Sequence, residues 1–259
     1  MSRALVFATF LAPNLKPVYE AVVEKVSLEL GVAARLVVGE SLEQLDDGTV
    51  DFAFVCGLPY VRMSDRLTPI AAPVVEGERY QGLPIYFSDV IVNASSPARS
   101  IADLRGCSWA YNEPDSHSGY LVTLFKLHEM GESRSFFSGW EMAGFHQESI
   151  RRVAAGRVDG SAIDSQVLAV ELRDHPGLRS RIRVIDVLGP STIQPLVATA
   201  GVDPALAQEV QAVVTGMHGE ALRRGLIERF VAIDDSRYDD IRRMLREVDA
   251  GGMLALQPA

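Results

Sequence analysis

Residues 4–31 read ALVFATFLAPNLKPVYEAVVEKVSLELG: an apolar run, a Pro-Asn break, then an amphipathic segment closed by glycine. Ala4 to Phe10 predicts a buried β-strand. In Lys16 to Leu30 the apolar residues Val18, Ala21, Val22, Val26 and Leu30 recur near a 3.6-residue period, which predicts a helix ending at Gly31. A buried strand followed by such a helix opens a parallel α/β sheet. Ala4 to Ala12 behind Arg3 also resembles the apolar part of a signal peptide. The strand reading is preferred, because the helix needs that strand as its packing partner.

The alternation continues outward. Val32 to Val38 and Val50 to Cys56 (VDFAFVC) predict further strands, with a short turn capped by Ser41 between them. Gly57 to Met63 (GLPYVRM) directly follows a strand end, the edge at which open α/β sheets bind ligands. Strands are predicted at Tyr86 to Asn93, Cys107 to Tyr111, Gly160 to Asp164, Arg181 to Leu188 and Pro195 to Thr199. Helices are predicted at Tyr120 to Met130, Ser149 to Ala155, Ser165 to Leu172, Pro204 to Arg224 and Arg237 to Asp249. The last helices carry no strand pattern, so they are predicted to return over the first sheet. The expected organisation is two lobes, 1–88 plus 190–259 and 89–189, with two crossings and hinge closure around a ligand.

Composition narrows the function. Of 259 residues, 47% are hydrophobic and 23% charged, the proportions of a globular domain. No apolar run reaches the roughly 18 residues of a membrane span. A net charge of −9 repels phosphate backbones and anionic lipid, so nucleic acid and membrane surfaces are poor partners. Cys56 and Cys107 match no zinc spacing and are read as two reduced, buried thiols, with a single bridge between them as the alternative. The five histidines, His117, His128, His146, His175 and His218, form no i, i+4 pair, so neither a metal site nor a cofactor is expected. Trp109 and Trp140 are read as packing residues, and the Arg151-Arg152 and Arg242-Arg243 pairs as solvated helix faces.

The chemically informative segment is Asn112-Glu113-Pro114-Asp115-Ser116-His117-Ser118-Gly119-Tyr120, which runs from a strand into a helix. Amides at a helix N-terminus lack intrahelical acceptors, and the helix dipole makes the spot locally positive. With the Ser116 and Ser118 hydroxyls and a bulk-free Gly119, the loop can nest an oxyanion. The alternative at this point is that one serine only caps the helix.

Several segments resemble one family in their order: Leu83 to Ser88 (LPIYFS), Ile101 to Gly106 (IADLRG), Ser116 to Leu121 (SHSGYL), Phe145 to Ile150 (FHQESI) and Val153 to Ser165 (VAAGRVDGSAIDS). Gly57-Leu58-Pro59-Tyr60 fits it too. The resemblance is to solute-binding components of phosphonate and phosphate-type ABC transporters, and it implies a two-lobed type 2 periplasmic-binding-protein fold. It implies a small phosphorus oxyanion (phosphonate, phosphate or phosphate ester) held in an interlobe cleft without chemistry, and a membrane component of an ABC transporter as partner. Carried over residue by residue, the anion site falls on Ser116, His117 and Ser118, completed by Tyr60, Tyr86 and His146. Asp164 falls where an aminophosphonate's ammonium would be held, although a carboxylate beside Ser165 could equally cap the following helix.

The residue chemistry fits these assignments. Tyr60 and Tyr86 offer phenolic donors on apolar rings, and His146 could donate to an anion as an imidazolium. His117 departs from the family, which usually has a small or hydroxylated residue there, and Glu113 and Asp115 bring negative charge near the loop. The family is exported, so the resemblance implies the periplasm. With Met1 as the true start and no convincing signal peptide, a cytoplasmic relative is the alternative expectation. The alternative function is a cytosolic enzyme of the same fold acting on a small carboxylate, as in the menaquinone pathway. A Ser116-His146-Asp164 hydrolase is disfavoured, since Ser-His-Ser-Gly is not the Gly-x-Ser-x-Gly elbow.

Overall fold

In the computed structural model of the protein, which describes residues 3–254, strands and helices alternate from the start. The strands are β1 (Leu5–Thr9), β2 (Ala34–Val38), β3 (Phe52–Phe54), β4 (Leu67–Val75), β5 (Ile85–Asn93), β6 (Ser108–Tyr111), β7 (Gly139–Met142), β8 (Gly160–Asp164), β9 (Ile182–Thr192), β10 (Leu196–Thr199) and β11 (Ile227–Ala232). The helices are α1 (Lys16–Leu30), α2 (Gly57–Arg62), α3 (Val122–Glu129), α4 (His146–Ala154), α5 (Ser165–Asp174), α6 (Pro204–Thr215), α7 (Glu220–Arg223) and α8 (Asp239–Ala250). Two compact units result: unit 1 runs to Ile85 and resumes over Thr192–Asp239, and unit 2 comprises Tyr86–Ser191 and residues 240–254. The chain thus crosses three times where two crossings were expected. Residues 240–254 fall in unit 2, whereas the sequence pattern places the C-terminal stretch with the first lobe.

Unit 1 is built on a sheet of order β11-β4-β10-β3-β1-β2. β1 pairs in parallel with β2 and β3, as the opening stretch predicts. α1 presents Val18, Val22 and Val26 to the core, each almost wholly buried and contributing about 1.5–3 kcal/mol. Tyr19 on α1 stacks on Phe54 of β3 with ring centroids 4.2 Å apart, fixing the helix on the sheet. Gly31 ends α1 in the left-handed conformation at φ +64°, which glycine adopts without a Cβ clash.

The rest of this sheet is antiparallel and corrects the all-parallel expectation. β10 runs antiparallel between β3 and β4, and β11 flanks β4. β4 carries Pro69 and Pro73, residues that argue against a central strand, and register shifts in both of its pairings accompany them. β11 likewise contradicts the reading of a purely helical C-terminal region. The predicted single helix 204–224 breaks after Thr215, where Gly216 caps α6 and Gly219 at φ +103° precedes α7.

Unit 2 has a sheet of order β7-β6-β8-β5-β9, with β6 parallel to β7 and β8, and β5 antiparallel to β8. Its core joins Ile91, Ala110, Ile150, Val153, Ile163 and Leu168. Trp109 is fully buried and stacks on Phe137 at 4.5 Å, while Gly160 lies so close that an added Cβ would sit 2.9 Å from the indole. Trp140 packs edge-on against Tyr111 and Tyr120. Both tryptophans are therefore packing residues. Cys56 and Cys107 are both thiols, half-buried rather than buried, and no helix among the described residues is long and apolar enough to cross a membrane.

Candidate functional site

The site in unit 2 grows from the end of β6. After Tyr111 the chain makes a polar loop and enters a π-helical turn, His117–Leu121, that continues into α3. The helical backbone thus starts three residues earlier than the sequence predicts, and Ser116 is its N-cap, accepting from Gly119 N at 3.0 Å. Such π turns are uncommon and recur at functional positions. Gly119 is dictated by packing: an added Cβ would lie 2.8 Å from Asn112 Cγ. The loop is thereby drawn into a tight, donor-lined bend.

A second helix start meets this turn. α4 begins at His146, again three residues earlier than predicted, with Phe145 as an extended N-cap that makes no side-chain cap. Ser118 Oγ and His146 Nε2 lie 3.0 Å apart. On the other side, the Tyr86 and His117 rings stand 6.1 Å apart between centroids. Tyr86, Ser116, His117, Ser118 and His146 are therefore brought together within one unit, all of them buried.

Burial has an electrostatic consequence. It pushes both His117 and His146 down to about 3 by penalising the charged ring. Both imidazoles are uncharged near neutral pH, each with one N–H donor and one lone pair. The imidazolium expected at His146 is not the resting form. Glu113 moves the other way: burial first, and the adjacent Asp115 second, raise its carboxyl above the ordinary value.

Asp164 ends β8 directly across from Ser88 of β5. Its Oδ1 accepts from Gln166 N at 2.8 Å and Val167 N at 3.1 Å, so it caps α5. Ser165 Oγ accepts from Phe87 N at 3.1 Å, tying the start of α5 to the strand that carries Tyr86. The imagined Ser116-His146-Asp164 triad is not assembled, since His146 meets Ser118 and Ser116 serves its own turn.

Tyr60 lies in unit 1, on α2. It is fully buried, its ring packs edge-on against Tyr238 at 4.6 Å, and its phenol donates to Asp235. That bond commits the proton expected for an anion and leaves the oxygen as an acceptor. Asp235 was not foreseen, nor were Asn112 and Gln147, both buried and polar beside the unit 2 turn and at the start of α4. The available signal was position: one follows a strand end, the other follows His146. Among the described residues no three His, Cys, Asp or Glu side chains converge as metal ligands.

The family described as ABC transporter, phosphonate, periplasmic substrate-binding protein matches residues 5–238. The chain belongs to that family. Solved structures agree on the fold. A binding-protein component of an ABC phosphonate transporter from Pseudomonas aeruginosa is 18% identical at TM-score 0.84, covering 99% of this chain and 91% of its own. The PhnD1 protein of Prochlorococcus marinus, in complex with methylphosphonate, is 17% identical at TM-score 0.81, covering 95% and 98%. A Xanthomonas citri protein bound to ATP is 20% identical at TM-score 0.72, covering 96% and 98%. The chain has the type 2 periplasmic-binding-protein fold of this family, whose members are substrate-binding proteins of the periplasm. The small-carboxylate enzyme gains no support from this membership.

Proposed function

We propose that this protein is the solute-binding component of an ABC-type uptake system and that it holds a small phosphonate or related phosphorus oxyanion in the unit 2 site. The observation that carries the reading is the Ser118–His146 hydrogen bond, which sets two helix starts side by side. Their orphan amides and dipoles supply the donor field that an oxyanion needs, without a lysine or arginine in either segment. The Ser118–His146 pair adds one directed donor, the hydroxyl where Nε2–H donates to it or Nδ1–H where the hydroxyl donates to Nε2, and Tyr86 adds an apolar wall with a phenol. Family membership supports a periplasmic site of action and a membrane partner of the same transporter.

The reading predicts capture and release without bond-making. A screen of methylphosphonate, aminoethylphosphonate, phosphite and phosphate by thermal shift tests it. A true ligand at a hundred times its dissociation constant adds about 2.7 kcal/mol of stability. A melting temperature raised by none of the four contradicts the proposal.

A further inference from the structure

The first turn of α4 holds more polar capacity than the protein itself satisfies. His146 Nδ1 and both amide atoms of Gln147 are buried with no hydrogen-bond partner among the described residues, and so is Ser149 Oγ. Gln147 is only 8% exposed. Buried polar groups are nearly always paired, and each one left unmade is costly. Here they cluster at a helix N-terminus, next to the histidine that bonds Ser118.

The turn itself carries no cationic side chain. Residues 112–121 and 145–149 contain no lysine or arginine. The ionisable groups on the neighbouring elements are the Glu113 and Asp115 carboxylates of the loop, Asp89 and Tyr86 on β5, Tyr111 on β6, His117 on the π turn and Asp164 on β8. Glu171 on α5 faces His175 at 3.6 Å. Glu148, on the first turn of α4 itself, is ion-paired with Arg152 at 3.1 Å and Arg151 at 3.7 Å. Arg134, a nearby cation, is engaged with the Tyr120 hydroxyl and lies over the Trp140 ring. The turn therefore offers neutral donors and acceptors against a background of carboxylates.

We propose that this site takes its phosphorus oxyanion in the singly charged state, with the Gln147 carboxamide reading the un-ionised oxygen. In a phosphonate monoanion the P–OH donates to Gln147 Oε1 while the amide N–H donates to a charged oxygen. A dianion has no P–OH for that acceptor, and it brings a second charge to a place that holds no countercharge. The inference rests on the phosphonate reading and specifies which form of that ligand is bound.

Calorimetry of the full chain with methylphosphonate, at a series of pH values spanning the ligand's second ionisation, tests it. Above that ionisation the affinity should fall about tenfold for each pH unit, since only the monoanion binds. Glu113→Gln should keep this slope, because the ligand and not Glu113 titrates. Gln147→Leu should weaken binding about tenfold below the ionisation and flatten the slope above it. Affinity that is constant or rises through the ionisation overturns the proposal, as does a slope abolished by Glu113→Gln. Unchanged binding in a folded Gln147→Leu removes Gln147 from the role. Absence of binding at every pH instead overturns the phosphonate reading itself.

Discussion

Ser118 Oγ stands 3.0 Å from His146 Nε2, although 28 residues separate the two. One residue belongs to the π turn that starts α3 and the other opens α4, so a single hydrogen bond brings two helix N-termini to one place. Ser118→Ala removes that bond and one directed donor. Methylphosphonate affinity should drop by about 1.5–3 kcal/mol, roughly tenfold to more than a hundredfold. Ser116→Ala should instead act on stability, by about 1 kcal/mol, because its hydroxyl caps the turn. Calorimetry and thermal melts on the two variants separate the roles.

Gly119→Ala tests the tightness of the same bend. The new methyl would meet Asn112 Cγ at 2.8 Å and Ser116 Oγ at 3.0 Å. Either the side chains shift or the turn opens, at about 1–3 kcal/mol of stability. Denaturant unfolding should show this loss together with weakened ligand binding. Unchanged stability would mean that the close approach is not required.

The two buried histidines set a pH dependence for folding. Their folded pKa values, about 3, lie below the ordinary 6.5, so the unfolded chain binds more protons between those limits. Stability is therefore full above about pH 6.5 and declines as pH falls toward 3, by up to a few kcal/mol for each ring. Urea unfolding at neutral and mildly acid pH measures the decline. His117→Gln should make the profile shallower, and an unaltered profile would remove His117 from it.

Much of this architecture is visible in the sequence, for identifiable reasons. α1 is read to its end residues because a 3.6-residue period runs into a glycine that takes positive φ. β4 is hidden because Pro69 and Pro73 mimic a loop, and only its pairing with β10 and β11 reveals a strand. The turn after β6 is legible as a strand-to-helix loop that carries Ser116, Ser118 and Gly119. The starts of both site helices are displaced by three residues: Ser116 is a cap the sequence offers, but the π turn behind it breaks the 3.6-residue period, and Phe145 makes no side-chain cap. The Tyr60–Asp235 bond spans 175 residues and has no local pattern at all.

Asp164 combines a legible role with an open one. As the cap of α5 it should tolerate asparagine within a few tenths of a kcal/mol, while Asp164→Ala costs about 1 kcal/mol. Thermal melts distinguish the two. The selectivity role implied by the family resemblance requires Asp164→Asn to weaken aminoethylphosphonate more than methylphosphonate. Equal losses for the two ligands would leave Asp164 as a cap alone.

The proposed oxyanion site lies where the starts of α3 and α4 meet, at Ser118 and His146. Titration of methylphosphonate into wild-type protein and Ser118→Ala by calorimetry, at one mildly acid pH, addresses it most directly. One ligand per chain should bind the wild type, and the variant should bind at least about tenfold more weakly while melting within about 1 kcal/mol of it. Absence of binding to a folded wild type, or equal affinity in the two proteins, would contradict the account.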